Sequence, residues 1–199
     1  MGVAASMLLV LTAASCRRGG DSEARAGRAR EAPDTPQAAF ASVKAAAAGA
    51  DFAGFYDLCD EKGQHGLLEV SLSLATMAIY AGDPQRAKDT ESIKSAFREE
   101  LGITPEELEK ADRDGTNRRD CYLRVVKKSP AIVRETLGKA LADFAMPELM
   151  STEMEGADVA RLRLTATDGD RIWYMVRERG RWVFAGGLSP RKPESGEGK

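Results

Sequence analysis

The hydrophobic period of this chain changes once, near Leu149, and that change restricts the fold more than any other feature. Before it, apolar residues recur at the spacing of a helix, as in Phe40, Val43 and Ala47. After it, apolar and basic residues alternate, most clearly in VARLRLTA at 159–166. Helices that precede a run of strands predict an α+β fold, with N-terminal helices packed on a C-terminal antiparallel sheet.

Capping residues mark where the helices of the first half begin. A Ser, Thr or Asp followed by proline is a strong start signal, because the side chain caps the helix and proline suits its first turn. Such signals predict helix starts at Thr35-Pro36, Asp83-Pro84, Thr104-Pro105 and Ser129-Pro130. Asp51 predicts another start as a cap without proline, and one further helix is predicted over 66–81. The last helix should turn five apolar residues inward: Ile132, Val133, Leu137, Leu141 and Phe144.

Turn sequences divide the second half into short strands. ATDGDR and ERGR are typical hairpin connections, and the apolar stretches between them alternate as strands do. The candidate strands are 149–156, 159–166, 171–178 and 181–188. They predict a sheet of three or four antiparallel strands with one polar face.

The residues that precede the domain resemble a bacterial export signal. Val3–Ala14 is uncharged and mostly apolar, and it is shorter than the roughly 20 residues that span a bilayer. The stretch LTAASC at 11–16 resembles a lipobox, with small residues directly before Cys16. That resemblance implies cleavage before Cys16 and acyl chains such as palmitate on it. We therefore expect a membrane-attached protein of the bacterial cell envelope, facing the periplasm or the exterior.

Two other interpretations of the N-terminus stay open. A cleaved signal peptide without lipid attachment would give a plain secreted domain. The opening MGVAAS also fits the N-myristoylation pattern, and Arg17 and Arg18 would then supply a second membrane signal. The myristoylation pattern leaves the apolar run unexplained, which favours the lipoprotein interpretation.

Composition divides the chain into four parts. We predict a signal peptide over 1–15, a flexible tether over 16–34, a folded domain over 35–188 and a disordered tail over 189–199. The chain has 29 basic and 31 acidic residues, a net charge of -2. Because nucleic-acid binding needs a basic surface, we do not expect it here.

Two parts of the predicted domain resemble one known superfamily. TPQAAFASVKAAAAGADFAGFYDLCDEKGQ at 35–64 is similar to the two opening helices of bacterial proteins of the nuclear-transport-factor-two-like superfamily. The stretch 158–188 resembles the closing strands of the same superfamily, with Trp182 shortly after Gly180. The resemblance implies a sheet curved around a cone-shaped cavity, as in ketosteroid-isomerase-like proteins, and makes 84–148 a helical insertion.

The resemblance also implies candidate cavity-lining residues: Tyr56, Asp57, Trp173 and Tyr174. Packing and surface positions are the ordinary roles of these residue types and stay an alternative. The isomerase and dehydratase catalytic patterns have no residue-by-residue match here, so we predict no catalytic residue.

Two cysteines and one histidine of the predicted domain are further candidates for reactive or metal-binding side chains. In an exported protein Cys59 and Cys121 could form a disulfide, with buried free thiols as the alternative. His65 is the only histidine, and its polar surroundings predict a surface position. Since one imidazole cannot form a multi-histidine site, we predict neither a metal nor a cofactor.

Four arginines fall at the spacing of residues that share a sheet face. Arg161 and Arg163 form one such pair, and Arg177 and Arg179 form another. Each pair is either part of a solvated face or an anion-binding patch, and the solvated face is the simpler interpretation.

The sequence as a whole favours a non-catalytic domain that binds a small apolar ligand or an envelope protein. The alternative is an enzyme that acts on a small hydrophobic substrate inside the cone.

Overall fold

The computed structural model describes residues 33–187 and 192–193 of the chain. Within them, helices come first and a four-stranded antiparallel sheet comes last, so the α+β prediction is confirmed. The predicted signal peptide 1–15 and Cys16 lie outside the described residues. So do nearly all of the tether 16–34 and all but two residues of the tail 189–199.

Seven α-helices occupy the described chain before the sheet. They are α1 Pro36–Ala48, α2 Phe52–Asp57, α3 Glu61–Gly82, α4 Thr90–Ala96, α5 Pro105–Arg113, α6 Arg118–Lys128 and α7 Ala131–Ala145. A 3-10 turn, Pro84–Ala87, precedes α4, and a π-helical turn, Phe97–Leu101, follows it.

Most of the predicted caps form in the structure, but Ser129 does not cap α7: Pro130 precedes that helix without a side-chain cap, and Ser129 Oγ has no hydrogen-bond partner within the described chain. Thr35 Oγ1 accepts a hydrogen bond from Ala38 N at 3.2 Å, and an Asp51 carboxylate oxygen accepts one from Gly54 N at 2.8 Å. Thr104 begins α5 with a complete capping box, in which its hydroxyl and the Glu107 carboxylate each accept from the other's backbone N–H.

Two helix predictions need correction. α3 begins at Glu61 rather than at residue 66, because Asp60 caps it and the polar stretch that follows contains no apolar period to reveal a helix. Ile132 is 60% exposed, although it was expected to face inward. The buried stripe of α7 runs through Val133, Leu137 and residues one turn further on, and Ile132 lies beside that stripe.

The four strands follow one another in the sheet in chain order. They are β1 Glu148–Met154, β2 Val159–Ala166, β3 Gly169–Glu178 and β4 Arg181–Phe184. The β2 bounds agree with the prediction to the residue, whereas β4 ends four residues earlier than expected. The β3–β4 turn has positive φ at both Arg179 and Gly180, 49° and 81°, as a type I′ hairpin turn requires.

Aromatic side chains join the sheet to the helices. The ring of Phe144 stacks on that of Trp173 with 4.1 Å between centroids, and it meets Phe55 and Phe184 edge-on. Phe40 contacts the Trp173 ring at 5.9 Å. These rings come from α1, α2, α7, β3 and β4, so the cluster fixes the helical layer on the inner face of the sheet.

Candidate binding surface

The four residues predicted to line a cavity lie in different environments. Trp173 is 3% exposed and belongs to the aromatic cluster on the inner face. Tyr56 is buried and stacks on Tyr122, with 5.0 Å between the ring centroids. Both side chains are therefore packed in the core of the domain.

Asp57 and Tyr174 lie toward the surface. The Asp57 carboxylate is about half exposed and accepts two hydrogen bonds from Arg119, at 2.7 and 2.9 Å. Tyr174 follows Trp173 on β3, so its side chain points to the opposite, outer face of the sheet, where it is half-buried. The structure thus separates Trp173 from Tyr174 rather than bringing them to one wall.

Both cysteines are buried and free in this structure, which is the second of the two alternatives expected for them. Cys59 Sγ donates to Phe55 O at 3.3 Å. Burial, followed by the nearby Asp60 and Asp57 carboxylates, raises the pKa of the Cys59 thiol well above its usual value. Burial also raises the pKa of Cys121. Both thiols are accordingly protonated near neutral pH, which suits packing rather than nucleophilic attack.

The two stacked tyrosines are neutral for the same reason. Burial raises the pKa of Tyr56 to about 12, although the Arg118 charge acts in the opposite direction. Burial raises the pKa of Tyr122 still further. Neither phenol is poised to exchange a proton near neutral pH.

Asp60 joins the start of α3 to the end of β4. One of its carboxylate oxygens accepts from Gly63 N at 2.7 Å and from Gly186 N at 3.0 Å. Its own N–H donates to Phe184 O at 2.8 Å. A Cβ atom on Gly63 would lie 2.6 Å from Gly187 N, so the two backbones touch at this joint. The carboxylate thus links residues 126 positions apart in the sequence.

Glu178 extends this joint on the sheet side. Partial burial, then the charges of Asp60 and Glu61, raise the pKa of its carboxyl above the usual range, and Arg181 opposes them. Because a half-buried carboxyl beside two carboxylates is more stable when neutral, ionising Glu178 in the folded protein costs free energy.

His65 lies on α3 and not in a polar loop as predicted. Its Nε2 is 3.3 Å from a Glu69 carboxylate oxygen and 3.7 Å from one of Asp112. Its Nδ1 is buried and has no hydrogen-bond partner within the described chain. Among the described residues, no group of three or more histidine, cysteine or acidic side chains is arranged to hold a metal ion.

The outer face of the sheet carries an open groove of about 410 Å³. Its lining comes from three neighbouring strands: Glu153, Arg161, Arg163, Asp170 and Ile172. The strand register explains why these residues line one groove, because Arg161 lies opposite Glu153 and Arg163 lies opposite Ile172. Side chains at such positions share one face and form direct contacts.

Ion pairs balance the arginines of this groove. Arg161 Nη1 is 3.4 Å from a Glu153 carboxylate oxygen, and Arg163 Nη2 is 2.7 Å from one of Asp170. Each positive charge therefore has its own acidic partner, as the solvated-face interpretation expects. The second arginine pair does not form on one strand, because Arg179 lies in the turn that follows β3.

The strand β1 forms one margin of the groove and one edge of the sheet. Met146, Met150 and Met154 lie on or beside it and are 68%, 58% and 53% exposed. No local pattern in the sequence marks these methionines or Glu153 as part of a site. The sequence predicts a strand over 149–156, but the position of β1 at the edge follows only from the pairing order.

No protein-family model, curated protein or solved structure matches this chain. Within the described part of the chain, no helix combines the length and the apolar character that crossing a bilayer requires.

Proposed function

We propose that this protein is a lipid-anchored lipoprotein of the bacterial cell envelope, with a non-catalytic domain that binds a partner protein. The stretch LTAASC at 11–16 supports the anchor, because an apolar run of export-signal length ends in small residues and then a cysteine. Acyl chains on Cys16 would hold the protein at a membrane, at about 0.8 kcal/mol for each buried CH₂ group.

The packing of the sheet supports binding rather than catalysis. Trp173, Phe144 and Phe184 fill the inner face, the side on which a cone-like enzyme would hold its substrate. The outer face carries the open groove with exposed apolar and charged side chains. This contrast between a filled inner face and an open outer face is the observation on which the binding role rests.

The protonation of the buried side chains agrees with that role. General acid–base catalysis works best with groups whose pKa lies near the operating pH. Burial instead moves the pKa values of Cys59, Tyr56 and Tyr122 away from neutrality. These groups contribute to the core as neutral side chains.

The anchor is tested by the intact mass of the full-length protein extracted from bacterial membranes. We expect loss of residues 1–15 and added acyl mass on Cys16. The Cys16→Ser variant should leave the membrane fraction. Gly2→Ala is the matched control, since it abolishes the myristoylation pattern and should change neither the mass nor the fractionation. A protein that retains Met1 without added mass, or a Cys16→Ser protein that stays in the membrane fraction, would refute the proposal.

A further inference from the structure

One edge of the sheet has backbone groups that no described strand uses. Glu155 N donates to Val159 O at 2.8 Å just beyond the paired part of β1 and β2. Because hydrogen-bonded and non-bonded pairs alternate in an antiparallel ladder, Glu153 and Ser151 point their backbone groups toward β2. Thr152 and Met154 therefore point theirs away from the sheet, where an added strand could bind them.

Exposed apolar side chains concentrate at this edge. Three of the eight large apolar side chains that the described residues expose are methionines within 146–154. A fourth, Ile172, lies in the adjoining groove on the outer face. Methionine adapts its shape to different partners and is frequent at surfaces that bind several peptides. Apolar contacts are thus available beside the free backbone groups.

The stretch 146–160 at this edge is acidic, with Glu148, Glu153, Glu155 and Asp158 and no basic residue. Glu148 is paired with Lys44 and Glu155 with Lys192, so Glu153, whose side chain is 63% exposed, is the acid that a partner strand could meet. On the paired side of β1, the basic and apolar residues of β2 meet it, and Arg161 contacts Glu153. A strand on the free side would lie equally close to Glu153, and cross-strand pairs of opposite charge stabilise a sheet.

We infer that the free edge of β1 binds an extended segment of a partner protein in which basic and apolar residues alternate, as they do in β2. The segment adds a fifth strand, its backbone bonds to Thr152 and Met154, and its basic side chains lie beside Glu153 on the outer face. This inference rests on the proposed binding function and specifies its partner.

A second copy of the chain fits this edge less well. Two β1 strands in contact would bring Glu153 of each copy to one seam, and β1 itself carries no basic residue. Like charges across neighbouring strands are destabilising, so the edge favours a basic segment over its own copy.

The experiment is a titration of the full chain, purified from membranes in detergent, against two fluorescent peptides. The first contains VARLRLTA, the sequence of β2, and the second contains VAELELTA, in which both arginines become glutamate. Fluorescence anisotropy should report binding of the basic peptide, and affinity for the acidic peptide should be weaker by about tenfold or more.

Three variants locate the binding. Glu153→Lys should weaken binding of the basic peptide by about tenfold and strengthen binding of the acidic one, because it reverses the charge at the position that faces the peptide. Thr152→Pro removes one outward backbone N–H and should weaken the binding of both peptides. Met77→Lys, an equally exposed methionine on α3, is the matched control and should change neither affinity.

Three results would overturn the inference. The first is equal binding of both peptides, and the second is the same pair of affinities in Glu153→Lys and Met77→Lys. The third is no binding of either peptide up to about 1 mM. Dimerisation of the unliganded chain that Thr152→Pro abolishes would overturn it in favour of a second copy. Intact mass measured on the same preparation tests the anchor separately, so either claim can fail without the other.

Discussion

The two edges of the sheet are treated in opposite ways. At the β4 edge, Phe184 N donates to Leu58 O and Asp60 N donates to Phe184 O, so the connection between α2 and α3 pairs with the strand. At the β1 edge, no described residue pairs with the outward backbone groups of Thr152 and Met154. One edge therefore closes the fold, and the other is available to a partner.

Because of this difference, we expect the β4 edge to contribute to the stability of the domain and the β1 edge to contribute to binding. Substitutions at the closed edge should destabilise the domain, because they disturb contacts that join its first helices to its last strand. Substitutions at the open edge should leave stability almost unchanged while they change what the protein binds.

The largest effect is expected for Asp60→Ala at the closed edge. The substitution removes the cap of α3 and leaves Gly63 N and Gly186 N without their acceptor. Lost caps and buried unpaired donors together cost about 3 kcal/mol. Urea unfolding should show this loss, and Asp89→Ala, which removes the exposed cap of α4, should cost less. Equal losses in the two variants would contradict the role of Asp60 in holding β4.

A smaller loss is expected for Gly63→Ala. The added methyl group would lie 2.6 Å from Gly187 N, so the backbones must separate, and overpacking of this kind costs about 1–3 kcal/mol. Gly66→Ala on the same helix meets no atom within 4 Å and should stabilise the protein by about 0.5–1 kcal/mol. The two variants should therefore shift the urea midpoint in opposite directions. A stabilised Gly63→Ala protein would show that the joint is loose.

A pH-dependent effect is expected for Glu178→Gln. The pKa of the Glu178 carboxyl is raised in the folded protein, so folding favours its protonated form. The stability that this form contributes is present below the unfolded pKa of about 4.3 and is lost as pH rises through the folded pKa. Glutamine resembles the protonated carboxyl at every pH. The variant should thus be more stable than the natural protein at pH 7, and the two should converge near pH 3.

Thermal unfolding at several pH values measures this effect. Glu135→Gln, at an exposed position on α7, is the control and should follow the natural protein. If Glu178→Gln were less stable at pH 7 than at pH 3 relative to the natural protein, the raised pKa would be wrong in sign.

The smallest effect is expected at the open edge. Met154 is 53% exposed, and surface substitutions away from caps and buried contacts usually change stability by less than about 0.5 kcal/mol. Met154→Lys should therefore unfold at the same urea concentration as the natural protein. A marked loss of stability would mean that this edge is also part of the folded core, and the comparison between the two edges would fail.

Local signals in the sequence predicted the elements well. Alternation gave β2 its exact bounds, and the capping chemistry of Thr35, Asp51 and Thr104 placed three helix starts correctly. The start of α3 was missed because its first turn has no apolar residue to establish a period. The prediction for Ile132 was wrong because this residue is apolar and next to Val133, which is buried. The buried face of α7 includes Val133 but not Ile132, which is exposed.

The candidate site was predicted less well, because it depends on contacts between distant parts of the chain. No local pattern shows that Asp60 reaches Gly186, or that Glu178 lies beside Glu61. The order of strands makes β1 an edge, and that order is a property of the assembled sheet. The predicted cavity residues came from a resemblance, and the structure distributes them between the core and the surface.

The joint at Asp60 has a consequence for when the domain can form. Its partners, Phe184 and Gly186, follow all the helices and the first three strands of the described chain, so these elements must be made before the joint can close. Contacts between distant residues form late and slowly, since the intervening chain must first be brought together. For the export that we propose, this delay is an advantage, because a domain that cannot lock early stays in a state that a translocation channel can accept.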